Sequence, residues 1–64
     1  MFQIGDKITI IPHSFTHLGV TVTQERKRYG RFVKYDKFGN VVYTDPETEQ
    51  KRCVKAEFVK WEML

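Results

Sequence analysis

Cysteine is nearly absent, since Cys53 is the only one in 64 residues. An intramolecular disulfide is therefore excluded. Small secreted domains generally depend on several such bridges, so a reducing compartment is expected, the cytoplasm or a virus-infected cytoplasm. Apolar residues never run to the ~18 consecutive positions of a membrane span. The opening Met1-Phe2-Gln3-Ile4-Gly5-Asp6 lacks the basic-then-apolar pattern of a signal peptide, and no membrane partner is expected. Repeats, low-complexity tracts and linkers are missing too, which leaves residues 1–64 as one expected domain. Opening on Met1 with no tag, the chain is expected to be a complete small gene product, a type frequent in phages and plasmids.

Catalytic constellations are also lacking. No Ser/His/Asp ordering, glycine-rich phosphate loop or paired-carboxylate spacing is present, so a non-enzymatic protein without a cofactor is expected. His13, His17 and Cys53 are the only imidazole and thiol donors, and a zinc site needs about four ligands, so no metal is expected. Cys53 stands near Lys51, Arg52 and Lys55, cations that favour a thiolate. Its expected role is nevertheless that of a small buried hydrophobe.

What the chain does have is β-forming alternation. A domain of this size buries only roughly 60% of its unfolded surface, and its nine aromatics concentrate that burial in a few large side chains. Ile4, Ile8 and Ile10 share one parity, interleaved with Asp6, Lys7 and Thr9, a half-buried strand that ends at Ile11-Pro12. His13 to Leu18 has no clear period and is expected as a loop. Val20 and Val22 alternate with Thr21 and Thr23 in a second strand. Tyr29, Val33 and Tyr35 mark the core side of a third, which places Phe32 on the opposite face. Gly39-Asn40 turns the chain into a strand over Val41–Thr44, and Asp45-Pro46-Glu47-Thr48 fits an exposed acidic type I turn. Lys51–Val54 returns antiparallel, and one helical turn at Lys55-Ala56-Glu57 precedes a short last strand in which Trp61 is expected to be buried. Strands at 8–12-residue spacing in so short a chain suit a small closed barrel.

Ile4-Gly5-Asp6-Lys7-Ile8-Thr9-Ile10 resembles the start of SH3-like barrels, where a Gly-Asp-Lys/Arg-Val step leads into the first strand. The resemblance implies an all-β, five-stranded SH3-like barrel in which Gly5 takes a tight turn and Ile8 and Ile10 enter the core. Val54-Lys55-Ala56-Glu57-Phe58-Val59-Lys60-Trp61 is similar to the one-turn helix and final strand of that class. Two branches are resembled. One is the KOW-type module of transcription and ribosomal proteins, which implies binding to nucleic acid or polymerase. The other is the electron-transport accessory group: the photosystem I accessory subunit, the variable chain of ferredoxin–thioredoxin reductase and the plasmid-borne dihydrofolate reductase. Pro12-His13-Ser14-Phe15-Thr16-His17 replaces the Gly-Lys-rich KOW loop, and only Gly19-Val20 echoes that motif. Arg52-Cys53-Val54-Lys55 stands where the reductase has its Val-Gln-Ile-Tyr active stretch, so that activity is not implied.

The net charge of +3 is unevenly placed. Gln24 to Lys37 holds six bases and two acids, while the remainder holds five bases and six acids. In that stretch Arg26, Lys27, Arg28, Arg31 and Lys34 interleave with Tyr29 and Phe32. Cations replace the counterions condensed on nucleic acid and flat rings stack on bases, so these seven residues form a candidate nucleic-acid surface. The same pattern arises where bases merely solvate a hairpin while Phe32 and Phe38 complete the core through a bulge. It also suits docking onto an acidic protein. A binding module for nucleic acid is the expectation. The alternative is an adaptor or inhibitor, possibly phage-encoded, that docks onto a larger protein complex, with His13, Phe15 and His17 as a recognition loop and Phe15, Phe32 or Trp61 as anchors. Homo-oligomerisation is a further route to stability for so small a domain.

Overall fold

The computed structural model describes residues 1–61 and is all-β. Its seven strands are β1 (Lys7–Ile10), β2 (His13–His17), β3 (Val20–Gln24), β4 (Arg28–Tyr35), β5 (Val41–Thr44), β6 (Lys51–Val54) and β7 (Val59–Trp61). A single 3₁₀ turn, Ala56–Phe58, stands before β7, as expected for one helical turn ahead of the last strand. Five strands form one antiparallel sheet in the order β6-β5-β4-β1-β7, and β2 and β3 form a separate hairpin. The expected closed barrel is not formed. Among the described residues no ladder joins the hairpin to the sheet or β6 to β7.

β2 corrects the expected loop at His13–Leu18. His13, Phe15 and His17 do alternate with Ser14 and Thr16, but the alternation sets rings against hydroxyls rather than apolar against polar residues, which hides it. A two-residue turn joins β2 to β3, with Leu18 and Gly19 at φ of 51° and 77°. Two successive positive φ values are the signature of the type I′ turn, whose twist matches that of the strands it connects.

The core lies on one face of the five-stranded sheet. Ile8, Ile10, Phe32, Val41, Tyr43 and Val59 are buried there. Phe2 covers one end, stacked on Phe32 at 5.6 Å between centroids and tilted against Trp61 at 4.4 Å, while Tyr35 meets the Phe32 ring edge-on at 4.9 Å. Trp61 thus packs in an aromatic cluster but stays half exposed, short of the burial expected of it. The hairpin lies over the other end, where the His13 ring stacks on Phe58 at 4.2 Å. Ile4 falls outside the expected core because residues 4–5 turn before β1 begins. Gly5 holds φ +89°, Asp6 N–H donates to the Gln3 carbonyl at 3.0 Å, and Ile4 is left 78% exposed.

The parity of β4 departs most from expectation. Gly30 and Phe32 face the core, while Tyr29 and Arg31 face solvent. Between Phe32↔Tyr43 and Lys34↔Val42 the register shifts by one residue, which makes Val33 a β-bulge. Beyond it the parity inverts, so that Tyr35 joins the core side opposite Val41. Phe32 is therefore a core residue, 4% exposed, and not an outward aromatic. Phe38, by contrast, is 77% exposed and completes no core.

Gly30 is required by packing. A Cβ at this position would meet Tyr43 Cδ2 at 2.5 Å and the Thr44 carbonyl oxygen at 3.0 Å. We predict that Gly30→Ala destabilises the protein by about 1–3 kcal/mol, the usual cost of overpacking, and lowers Tm by several degrees. A Tm equal to wild type would show that the Tyr43 ring moves aside without cost.

Candidate nucleic-acid interface

Residues paired directly across an antiparallel ladder project to the same face, so the register assigns the outward side of the sheet. One row runs Lys51, Thr44, Arg31, Lys7 across β6, β5, β4 and β1. A second runs Tyr29, Thr9, Lys60 across β4, β1 and β7, and a third runs Cys53, Val42, Lys34 across β6, β5 and β4. The outward face thus carries Lys7, Arg31, Lys34, Lys51 and Lys60, with Tyr29 among them at 52% exposure. None of the strand residues is an acid; in the described chain every Asp and Glu lies in a turn or connection. Arg31 Nη1 donates to the Gly5 carbonyl at 3.1 Å, which ties down one end of its guanidinium and leaves the other donors to solvent.

The seven candidates in the basic stretch are therefore divided. Tyr29, Arg31 and Lys34 lie together on the outward face. Arg26 and Lys27 lie in the connection between β3 and β4, exposed. Arg28 has core-side parity and pairs with Asp45 at 3.7 Å, and Phe32 is in the core. Of the other three, His13 is half buried, its Nδ1 2.8 Å from the Ile11 carbonyl oxygen, Phe15 is 42% exposed on β2, and His17 is exposed beside the hairpin turn. Four residues apart on a strand, the two histidines stand about 13 Å apart, and among the described residues no cluster of three or more His, Cys, Asp or Glu is placed to hold a metal.

The acidic turn also differs from expectation. Asp45 is buried, not exposed, and accepts from the Glu47 N–H at 2.9 Å, while Arg52 Nε approaches it at 3.2 Å from the strand beyond. Asp45, Pro46 and Glu47 face Arg26, Lys27 and Arg28 across a cleft of about 300 Å³. This end of the basic stretch is thereby partly neutralised, and the free positive charge lies on the sheet instead. Lys7, Lys51 and Lys60 complete that surface from three other strands. Their position in the sequence carried the signal, since Lys7 and Lys60 each directly precede or follow a core residue in an alternating strand.

Cys53 is exposed, which corrects its expected burial. Its Sγ lies 3.6 Å from Asp36 Oδ2, and its pKa is raised by partial desolvation and by the Asp36 carboxylate. The neighbouring lysines do not make it a thiolate. Burial pushes the Asp36 carboxyl up, but the Asn40 and Phe38 backbone N–H groups at 2.8 and 2.9 Å outweigh this and hold it below the usual range.

No family model matches the chain, and no curated protein or solved structure matches it. In addition, among the described residues no helix is long and apolar enough to cross a membrane.

The Asp45 pKa is lowered, first by the Glu47 backbone N–H and further by Arg52 and Arg28. A carboxyl depressed in the folded state stabilises above its unfolded pKa of about 3.9 and loses that contribution as pH falls through the folded value. Asp45→Asn is therefore predicted to be less stable than wild type at pH 7 and to lose less stability on acidification below about pH 4. Urea denaturation at pH 7, 4 and 2.5 checks this. Parallel acid limbs for the two proteins would remove Asp45 from the acid sensitivity.

Proposed function

We propose that this protein is a non-catalytic binding module that acts in the cytoplasm and holds nucleic acid on the outward face of its five-stranded sheet. The observation that carries this reading is the segregation of charge: four strands turn five bases and an exposed tyrosine outward and contribute no acid of their own, Asp36 reaching that face only at the Cys53 corner. Phosphates bind Lys7, Arg31, Lys34, Lys51 and Lys60 by replacing condensed counterions. Tyr29 offers a ring on which a base stacks, and a single strand presents such a base more readily than a duplex. Thr9 and Thr44, between the bases, supply hydroxyls for phosphate or sugar oxygens. Arg28 takes no direct part, because Asp45 holds it on the other face.

The test is fluorescence anisotropy of labelled single- and double-stranded oligonucleotides at two salt concentrations. We predict that wild type prefers the single strand and that binding weakens steeply with salt. Joint replacement Arg31→Glu and Lys34→Glu should cut affinity at least about tenfold and flatten the salt dependence, each lost phosphate contact contributing ~0.7 to the logarithmic slope. Tyr29→Ala should cost about 1–3 kcal/mol of single-strand binding, and Arg26→Glu with Lys27→Glu should cost less than the sheet-face pair. Unchanged affinity in the Arg31/Lys34 variant would overturn the assignment to the sheet.

The alternative, an adaptor or inhibitor that docks onto a larger complex and is possibly phage-encoded, draws on the exposed Phe15 and half-exposed Trp61. Phe32 is unavailable to it. Retention of a stoichiometric protein from nuclease-treated lysate would favour this alternative over the nucleic-acid reading.

A further inference from the structure

A groove of about 580 Å³ opens between β2 and β6, lined by His13, Ser14, Phe15 and Thr16 on one side and by Cys53 and Val54 on the other. Both strands contribute consecutive residues. A strand that turned a face to the groove would contribute every second residue, so both present their edges. Among the described residues β2 pairs only with β3 and β6 only with β5, which leaves one edge on each without a partner there.

The hydrogen-bond alternation identifies the free groups. His17 and Val20 flank the two-residue turn and form a hydrogen-bonded pair, so Phe15 and His13 also bond to β3. The N–H and C=O groups of Ser14 and Thr16 then point away from β3. Asp45 N–H donates to the Gln50 carbonyl at 2.9 Å, so the Tyr43↔Arg52 and Val41↔Val54 pairs are the bonded ones. Lys51 and Cys53 therefore direct their backbone groups outward. Phe15, Val54 and Phe58 supply apolar surface between the two rows.

We infer that this groove binds an acidic peptide in extended conformation, added as a strand that hydrogen-bonds to β2 on one side and β6 on the other. Two facing rows of alternating donors and acceptors match a peptide backbone, whereas a compact small molecule meets only one of them. The charge selects the occupant. The lining holds Lys55 and no acid, Lys51 stands on the same edge, and Arg52 is engaged with Asp45. A second copy paired two-fold through β6 about Cys53 would set Lys51 against Lys55 of the other copy, and like charges opposed across strands repel. The occupant is thus an acidic strand from a different protein. This inference concerns the sheet's edge and does not rest on the nucleic-acid reading of its outward face.

The test uses the full chain labelled with ¹⁵N and a capped hexapeptide of alternating Glu and Val as probe. The expected result is a saturable shift of the Ser14, Thr16, Lys51 and Cys53 amides with slowed hydrogen exchange there. A Lys-Val hexapeptide and a Glu-Val hexapeptide with alternate amides N-methylated should bind at least about tenfold more weakly, through repulsion and through lost backbone bonds respectively. Thr16→Pro removes a free-edge donor without touching a β2–β3 bond, so it should weaken the probe about tenfold while leaving Tm and the remaining amide spectrum in place. Should that variant unfold, the N-methylated probe on wild type decides alone. Equal binding of the methylated and unmethylated probes, shifts confined to other residues, or no shift at millimolar peptide would overturn the proposal. So would a concentration-dependent dimer that shifts the same four amides.

Discussion

The bulge at Val33 is the constraint on which the rest of this structure depends. β4 is the central strand, hydrogen-bonded to β1 on one side and β5 on the other, so its parity sets the facing of both neighbours. Before the bulge Gly30 and Phe32 point into the core, and after it Tyr35 does. The inserted residue lets Arg31 and Lys34, three positions apart, face the same side, which strict alternation forbids. It also brings Phe32 and Tyr35 into one aromatic cluster under Phe2. One extra residue therefore supports both the core at that end and the pairing of bases on the opposite face.

That bulge also marks where sequence reasoning stops. Alternation located β1 and β3, turn signals located β5 and β6, and the ambiguous end of the chain resolved as one helical turn followed by a strand. In β1 and β5 the apolar pattern and the burial agree. In β4 they do not, because Gly30 is a core residue without a side chain and Tyr29 and Tyr35 lie on opposite sides of a register shift. A pattern reader sees Tyr29, Val33 and Tyr35 as one stripe and places Phe32 outside it. The stack of the Tyr43 ring on Gly30, which makes that glycine necessary, is a contact between two strands and leaves no local trace. β2 escaped for a different reason, as its rings alternate with hydroxyls and Leu18 fills the first turn position, which asparagine more often holds beside a glycine such as Gly19.

The sheets stay open because, among the described residues, no ladder joins the hairpin to the five-stranded sheet or β6 to β7. On one of these open sides the hairpin faces the β6 edge, which reads Lys51-Arg52-Cys53-Val54-Lys55. Lysine on an edge is a common device against adventitious strand pairing. Arg52 is further committed on the core side, where it and Arg28 both converge on Asp45. The hairpin lies over the core through His13 and Phe58 and not through a backbone ladder, and a groove remains between it and β6.

Asp45 shows how the chain treats charge that it intends to neutralise. Two arginines on the core side receive one buried carboxylate, which is itself held by a backbone N–H and kept ionised by its surroundings. Both ion pairs among the described residues involve that single acid. Among the described residues the five outward bases receive no comparable partner, although acids stand in the turns at either end of the strands. Like charges gathered on one face raise the free energy of the folded state through self-repulsion. Solubility alone does not require such gathering, since charges of mixed sign serve it as well. A face that concentrates positive charge around an exposed ring, in a protein that pairs Arg28 and Arg52 with one buried acid, is the contrast on which the proposed anion binding rests.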